Sequence, residues 1–276
     1  MIDRPSTYQR FEGLASFVGS DAKMFETLSS ALALTKSDII TLALICFAAG
    51  LVRGFSGFAL SAVAMASAAS FIPPVELIPL CWWLEIAASA LLIRGNWHNA
   101  RKKTVLLLSI GTLIGLPLGL VLTTNVPVAL SQNIALLLIM VLATLLLMGL
   151  RLEALHRPLG TVFAGIGAGL GTGLASVGGM VVAIFMLSFK GAPATMRATV
   201  ILFLLLSSGL SVANYFLFDV MTQIAVFRGI FFIVPAIIGV HLGTKLFIPR
   251  WEHFYRPFCL TLLIILSGAG LVRLIA

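Results

Sequence analysis

Charge is what this chain has least of. Only 10% of its 276 residues are Asp, Glu, Lys or Arg, while 60% are hydrophobic and the mean hydropathy is +1.10. A globular core cannot absorb that much apolar sequence, so a soluble class is excluded and an integral membrane protein is implied. Cysteine is scarce too: Cys46, Cys81 and Cys259 each lie in an apolar stretch, and no two have metal-ligand spacing. An odd, scattered set excludes a disulfide framework and reads as packing residues. The four histidines are equally dispersed, so neither a zinc pattern nor a catalytic triad can be assembled. No catalytic residue, metal or cofactor is expected, and the chain does not read as an enzyme. The net charge of +8 is spread over short connections, without the dense basic-aromatic face that nucleic acid requires. It is better read through the excess of Lys and Arg in cytoplasmic loops.

What the chain has is eight apolar blocks, roughly 39–72, 75–94, 104–122, 129–150, 159–189, 194–218, 224–247 and 255–275. Six have the length of a single crossing. The first and fifth do not. As one helix, 39–72 would be about 50 Å long against a hydrocarbon core of ~30 Å. At its middle stand Gly50, Arg53, Gly54, Ser56 and Gly57, followed by Pro73-Pro74. Glycine frees the backbone there, so the helix is expected to break among these residues. Broken backbone at membrane depth survives only inside protein or beside a wet cavity.

The pattern recurs 119 residues later. Gly50, Leu51, Gly54, Pro74 and Ser89 correspond without gaps to Gly169, Leu170, Gly173, Pro193 and Ser208, while Gly111 and Pro117 correspond to Gly229 and Pro235 at a spacing of 118. These landmarks indicate an internal duplication. The expected organisation is a tail at 1–37, with an amphipathic interfacial helix as one reading, followed by one transmembrane domain at 38–276. Repeat 1 covers about 38–150 and repeat 2 about 158–276.

Loop charge sets the expected topology. Arg94, Arg101, Lys102 and Lys103 put the 94–103 connection in the cytoplasm, and the uncharged 123–128 connection lies outside. If block 5 crossed once, Lys245, Arg250 and Arg256 would fall outside. If it dips in and returns, they fall inside together with Lys190 and Arg197. Block 5 is therefore read as a re-entrant hairpin of two half-helices, and block 1 by analogy. Each half then has an odd number of crossings, and the halves face opposite ways. The predicted fold is an all-α membrane protein of two inverted repeats, each a broken or re-entrant helical hairpin plus three transmembrane helices, the pattern of a secondary transporter.

Arg53 is the most informative charge, because an arginine at mid-membrane costs several kcal/mol unless paired or hydrated. Beside half-helix N-termini it describes an anion site. The alternative is a structural ion pair with Glu85, which lies inside its own span and could instead carry a proton. Arg197, four residues past Pro193, is a second anion contact or a cytoplasmic anchor. Ser56, Ser176, Ser89, Ser208, Thr172 and Asn214 are small polar groups that either meet a ligand or bond their own helix. The expected substrate site comprises Arg53, Gly54, Ser56, Gly57, Gly173, Ser176, Gly178 and Arg197, with Glu85 as proton-coupling or ion-pair residue.

The Arg-Gly-Phe-Ser-Gly-Phe-Ala stretch at 53–59, Pro73-Pro74 with Glu76, and Ala192-Pro193 leading to Arg197-Ala198 resemble the TauE/SafE family of sulfite exporters over roughly residues 40 to 275. The resemblance implies a multi-pass carrier of the bacterial inner membrane, moving sulfite or an organosulfonate, with proton coupling as a further expectation. A channel-like anion pore and a non-transporting membrane subunit are the alternatives. Expected partners are the small anion, the lipid bilayer and, as an open expectation, a second copy in a homodimer. The topology is testable with single cysteines at Asn99 and Thr222 in a background without native cysteines. An impermeant maleimide applied to intact cells should label Thr222→Cys and not Asn99→Cys. Equal labelling of both would contradict oppositely facing halves.

Overall fold

The computed structural model describes residues 29–150, 157–189, 192–246 and 252–275. The predicted tail at 1–28 lies outside the described residues. Every regular element among the described residues is helical. In chain order they are α1 (Lys36–Ser56), α2 (Leu60–Ala68), α3 (Pro74–Ile93), α4 (Lys102–Asn125), α5 (Val128–Leu147), α6 (Pro158–Ala175), α7 (Gly178–Leu187), α8 (Pro193–Leu217), α9 (Gln223–Leu246) and α10 (Glu252–Ile275). Eight helices among the described residues are long and apolar enough to cross a membrane. The chain is an all-α, multi-pass membrane protein.

Two units cluster by contact, one ending at Thr41 and the other running from Leu42 to Ala276. In the first, Thr35 caps the start of α1: its Oγ1 accepts the Asp38 N–H at 3.2 Å and donates to the Asp38 carboxylate at 2.6 Å. That satisfies one donor that a helix start leaves open. The second unit holds everything described below.

The order long helix, short helix and three long helices occurs twice, as α1–α5 and α6–α10. The breaks fall at the C-terminal edge of each glycine-rich stretch. Gly50, Gly54, Gly165, Gly169 and Gly173 lie inside α1 and α6. The first break is at 57–59, with Gly57 and Ala59 at φ of 77° and 74°, and the second is at Ser176, φ 57°. The arms of each broken helix are consequently unequal, 21 and 9 residues in the first half and 18 and 10 in the second.

The glycines serve contact instead of bending. A Cβ on Gly50 would stand 2.1 Å from the Ala236 carbonyl oxygen of α9, and one on Gly115 of α4 would stand 2.0 Å from the Ile166 carbonyl of α6. Only glycine lets these backbones touch, as in other membrane helix pairs rich in small residues. Residue numbers rise together along both seams, Gly50 against Ala236 and Gly54 against Val240, Gly111 against Val162 and Gly119 against Leu170. Each pair therefore runs in one direction. Thr112 and Thr123 lock the α4–α6 seam further, donating across it to the Gly165 and Gly173 carbonyls at 3.2 and 2.7 Å. The first helix of each half thus packs on the fourth helix of the other.

Candidate functional site

Both breaks leave helix ends inside the protein, where carbonyls and N–H groups have no water to bond. Arg53 stands in the last turn of α1 and is fully buried. Its Nη1 donates to the Gly57 carbonyl at 2.7 Å, closing the helix end, and its Nη2 donates to Ser89 Oγ of α3 at 2.8 Å. The same nitrogen lies 3.2 Å from Glu85 Oε2. Glu85, in turn, faces the start of α2, where its Oε1 accepts Ser61 Oγ–H at 2.6 Å and the Ser61 N–H at 3.3 Å. The cation sits at a helix C-terminus and the anion at a helix N-terminus, each where the helix dipole favours it. One ion pair between α1 and α3 therefore fastens both sides of the first break.

Arg197, on α8, completes the arrangement. Its Nη2 donates to the Gly54 carbonyl at 2.5 Å. The repeat-equivalent carbonyl, Gly173, takes its bond from the Thr123 hydroxyl at 2.7 Å. Arg197 and Thr123 thus close corresponding helix ends. In the second half the break is closed by backbone, with the Ser176 N–H donating to Thr172 at 2.9 Å and the Val177 N–H to Gly171 at 3.1 Å. This double bond around a left-handed residue is the usual way to end a helix without side chains.

Between the two breaks lies a cavity of about 30 Å³. The first half contributes Ser61, Trp82, Glu85 and Thr112. The second contributes Thr172, Ser176, Gly178 and Gly179 with Leu204, Ser207, Ser208, Ser211 and Tyr215 of α8. Cys81 touches both breaks, donating its thiol to the Ser61 carbonyl at 3.9 Å and meeting the Ser176 side chain. Trp82 ties α3 to α8, its indole N–H donating to the Ser208 carbonyl at 2.8 Å.

Of the residues expected at the substrate, Ser176, Gly178 and Glu85 line this cavity, whereas Arg53, Gly54, Ser56, Gly57, Gly173 and Arg197 do not. Ser56 bonds locally, its Oγ donating to the Phe58 carbonyl. For Arg53 the ion-pair alternative is the geometry found. The expectation weighed Ser208 of α8 and missed its neighbours, although Ser207, Ser208, Ser211 and Tyr215 fall on one helical face by spacing alone. It also missed Arg228, 5% exposed on α9 and paired with Glu76 at 2.5 Å.

Two interrupted helices thus meet at a hydroxyl-lined chamber among eight helices long and apolar enough to cross a membrane. The sulfite exporter TauE/SafE family model matches residues 42–270, and the chain belongs to that family. Membership implies transport of sulfite or related anions rather than catalysis. It also makes this a multi-pass membrane protein, which in bacteria means the inner membrane. No curated protein and no solved structure matches the chain.

Removing one member of a buried ion pair strands the other and costs about 3–5 kcal/mol. Arg53→Gln is therefore expected to lower the melting temperature in detergent steeply, and Arg53→Gln combined with Glu85→Gln to recover most of the loss. A double variant no more stable than the single one would show that the two side chains do not act as a pair.

Proposed function

We propose that the protein is a secondary carrier of a small sulfur oxyanion, sulfite or an organosulfonate, and that the cavity between the two breaks is its transport site. The observation that carries this reading is the cavity itself, lined from both halves of a chain whose family moves such anions. The cavity is small, about 30 Å³, and is enclosed by helices of both halves, which favours a carrier that opens to one side at a time over a channel with a standing path.

Inverted repeats, about 38–150 and 158–276, supply the mechanism in this reading. Several contacts support the arrangement. Ser61, at the start of α2, meets Glu85 deep in α3, and the end of α2 at Ala68 lies just ahead of the start of α3 at Pro74. The short arm therefore runs back along α3, as a re-entrant hairpin requires. The Arg101 N–H, at the head of α4, donates to Thr199 Oγ1 in the second turn of α8 at 3.1 Å. Glu76, in the first turn of α3, pairs with Arg228 in the second turn of α9. Heads that meet heads favour parallel pairs, α4 with α8 and α3 with α9. With hairpins at both breaks, the connectivity then turns the two halves opposite ways.

Glu85 is the proposed coupling group. It lines the cavity, and its Oε2 has no hydrogen-bond donor among the described residues beyond the ion-pair contact with Arg53. A proton arriving at Oε2 would cancel the pair and loosen the fastening of the first break, so that protonation and helix movement are linked. Purified protein in liposomes should accumulate labelled sulfite or methanesulfonate against its gradient when a pH difference is imposed, with saturable rates. Because Glu85→Gln alone would strand Arg53 as a buried charge, the coupling test uses Arg53→Gln together with Glu85→Gln, which should keep exchange across equal pH and lose pH-driven accumulation. Flux that neither saturates nor responds to the proton gradient would favour the channel.

A further inference from the structure

The two halves use the same frame differently. In the first, the start of α2 is occupied by the protein's own anion, Glu85, held by Ser61 and by Arg53, with Ser89 bonded to the same guanidinium. At the repeat-equivalent positions, 119 residues on, Glu85 becomes Leu204, Arg53 becomes Thr172 and Ser89 becomes Ser208. Leu204 carries no charge, and the Thr172 hydroxyl folds back onto the Ala168 carbonyl of its own helix at 2.8 Å. The start of α7, Gly178 and Gly179, faces a cavity whose one carboxylate, Glu85, is already held by Ser61 and Arg53 of the first half. The first N–H groups of a helix have no acceptor within it and favour negative charge.

A second, independent observation marks the same place. Tyr215 and Ser208 line this cavity at 1% and 8% exposure, and neither hydroxyl has a hydrogen-bond partner among the described residues. Buried hydroxyls are ordinarily satisfied. Ser89, the repeat counterpart of Ser208, has Arg53 as its partner. Two buried donors and the N-terminus of a ten-residue helix thus converge on one chamber.

We propose that the start of α7, with Ser208 and Tyr215, is the receptor for the oxyanion headgroup of the substrate, and that it takes a singly charged sulfonate-type group in preference to a dianion. Glu85 offsets Arg53 through their ion pair, and neither Arg53 nor Arg197 lines the cavity. The attraction within the cavity wall is the helix end, equivalent to roughly half a positive charge, together with neutral hydroxyl donors. Those suit one negative charge spread over several oxygens. The inference rests on the transport reading for its choice of ligand, but binding tests it separately from flux.

Tryptophan fluorescence of the purified protein, with Trp82 in the cavity wall, is titrated with methanesulfonate and with sulfate, and liposome flux is measured in parallel. Methanesulfonate should bind more tightly than sulfate. Tyr215→Phe and Ser208→Ala should each weaken methanesulfonate binding about tenfold or more, the loss expected for a hydrogen bond to a charged group. Neither removes a native hydrogen bond, so their melting temperatures should match the parent's. Leu204→Glu, which gives α7 the carboxylate that α2 already has, should abolish binding. Unchanged affinity in both hydroxyl variants, sulfate binding as tight as methanesulfonate, or a parent that binds neither anion would overturn the proposal. If binding follows these expectations but the parent shows no flux, the receptor stands and the carrier reading falls.

Discussion

Everything in this structure depends on how a helix can end inside an apolar layer. A terminus there exposes carbonyls or N–H groups that neither lipid nor water satisfies, at several kcal/mol each. The protein meets the constraint at the first break with one buried ion pair, Arg53 closing the end of α1 and Glu85 the start of α2, both anchored to α3. Such a pair is costly to bury and costlier to break. It therefore specifies one arrangement of three helices more than it adds to stability.

The second half solves the same problem by other means, and the difference between the solutions gives the cavity its character. Backbone bonds around Ser176 close the end of α6, and Thr123 takes the place of Arg197 at the equivalent carbonyl. The charge that fastens the first break is absent from the second, where the cavity wall is built of hydroxyls and helix-start amides. Duplication supplied two copies of a frame. One copy is filled by the protein's own side chains, and the other faces the chamber between the halves.

Much of this was legible in the sequence because membrane depth makes exceptions conspicuous. Glycines, prolines and one arginine in overlong apolar blocks identified the interrupted helices, and the shared offset revealed the duplication. The ion pair of Arg53 with Glu85 was foreseen as one of two readings, since composition cannot say whether a buried cation faces a ligand or a carboxylate. The break was bracketed only to a stretch because glycine has two uses. Gly50 and Gly54 admit the backbone of α9, and a sequence alone does not separate close approach from a bend. The stripe on α8 was overlooked because serine in a membrane helix usually bonds its own backbone. Ser211 does so, donating to the Ser207 carbonyl at 2.5 Å, and only the repeat match to Ser89 sets Ser208 apart from it in the sequence. Arg228 had no repeat counterpart to draw attention to it, its partner Glu76 lying 152 residues away.

The central claim is that the chamber between the breaks is the transport site and opens alternately. The most direct measurement is the reactivity of one cysteine placed at Ser176, on the second break, in a protein whose Cys46, Cys81 and Cys259 have been replaced. Inside-out and right-side-out vesicles are exposed to an impermeant thiol reagent with and without sulfite-like anion. The account predicts slow labelling from both sides and protection from both by saturating methanesulfonate. Labelling from either side that no sulfur oxyanion slows, or a cysteine reachable from one side only, would contradict it.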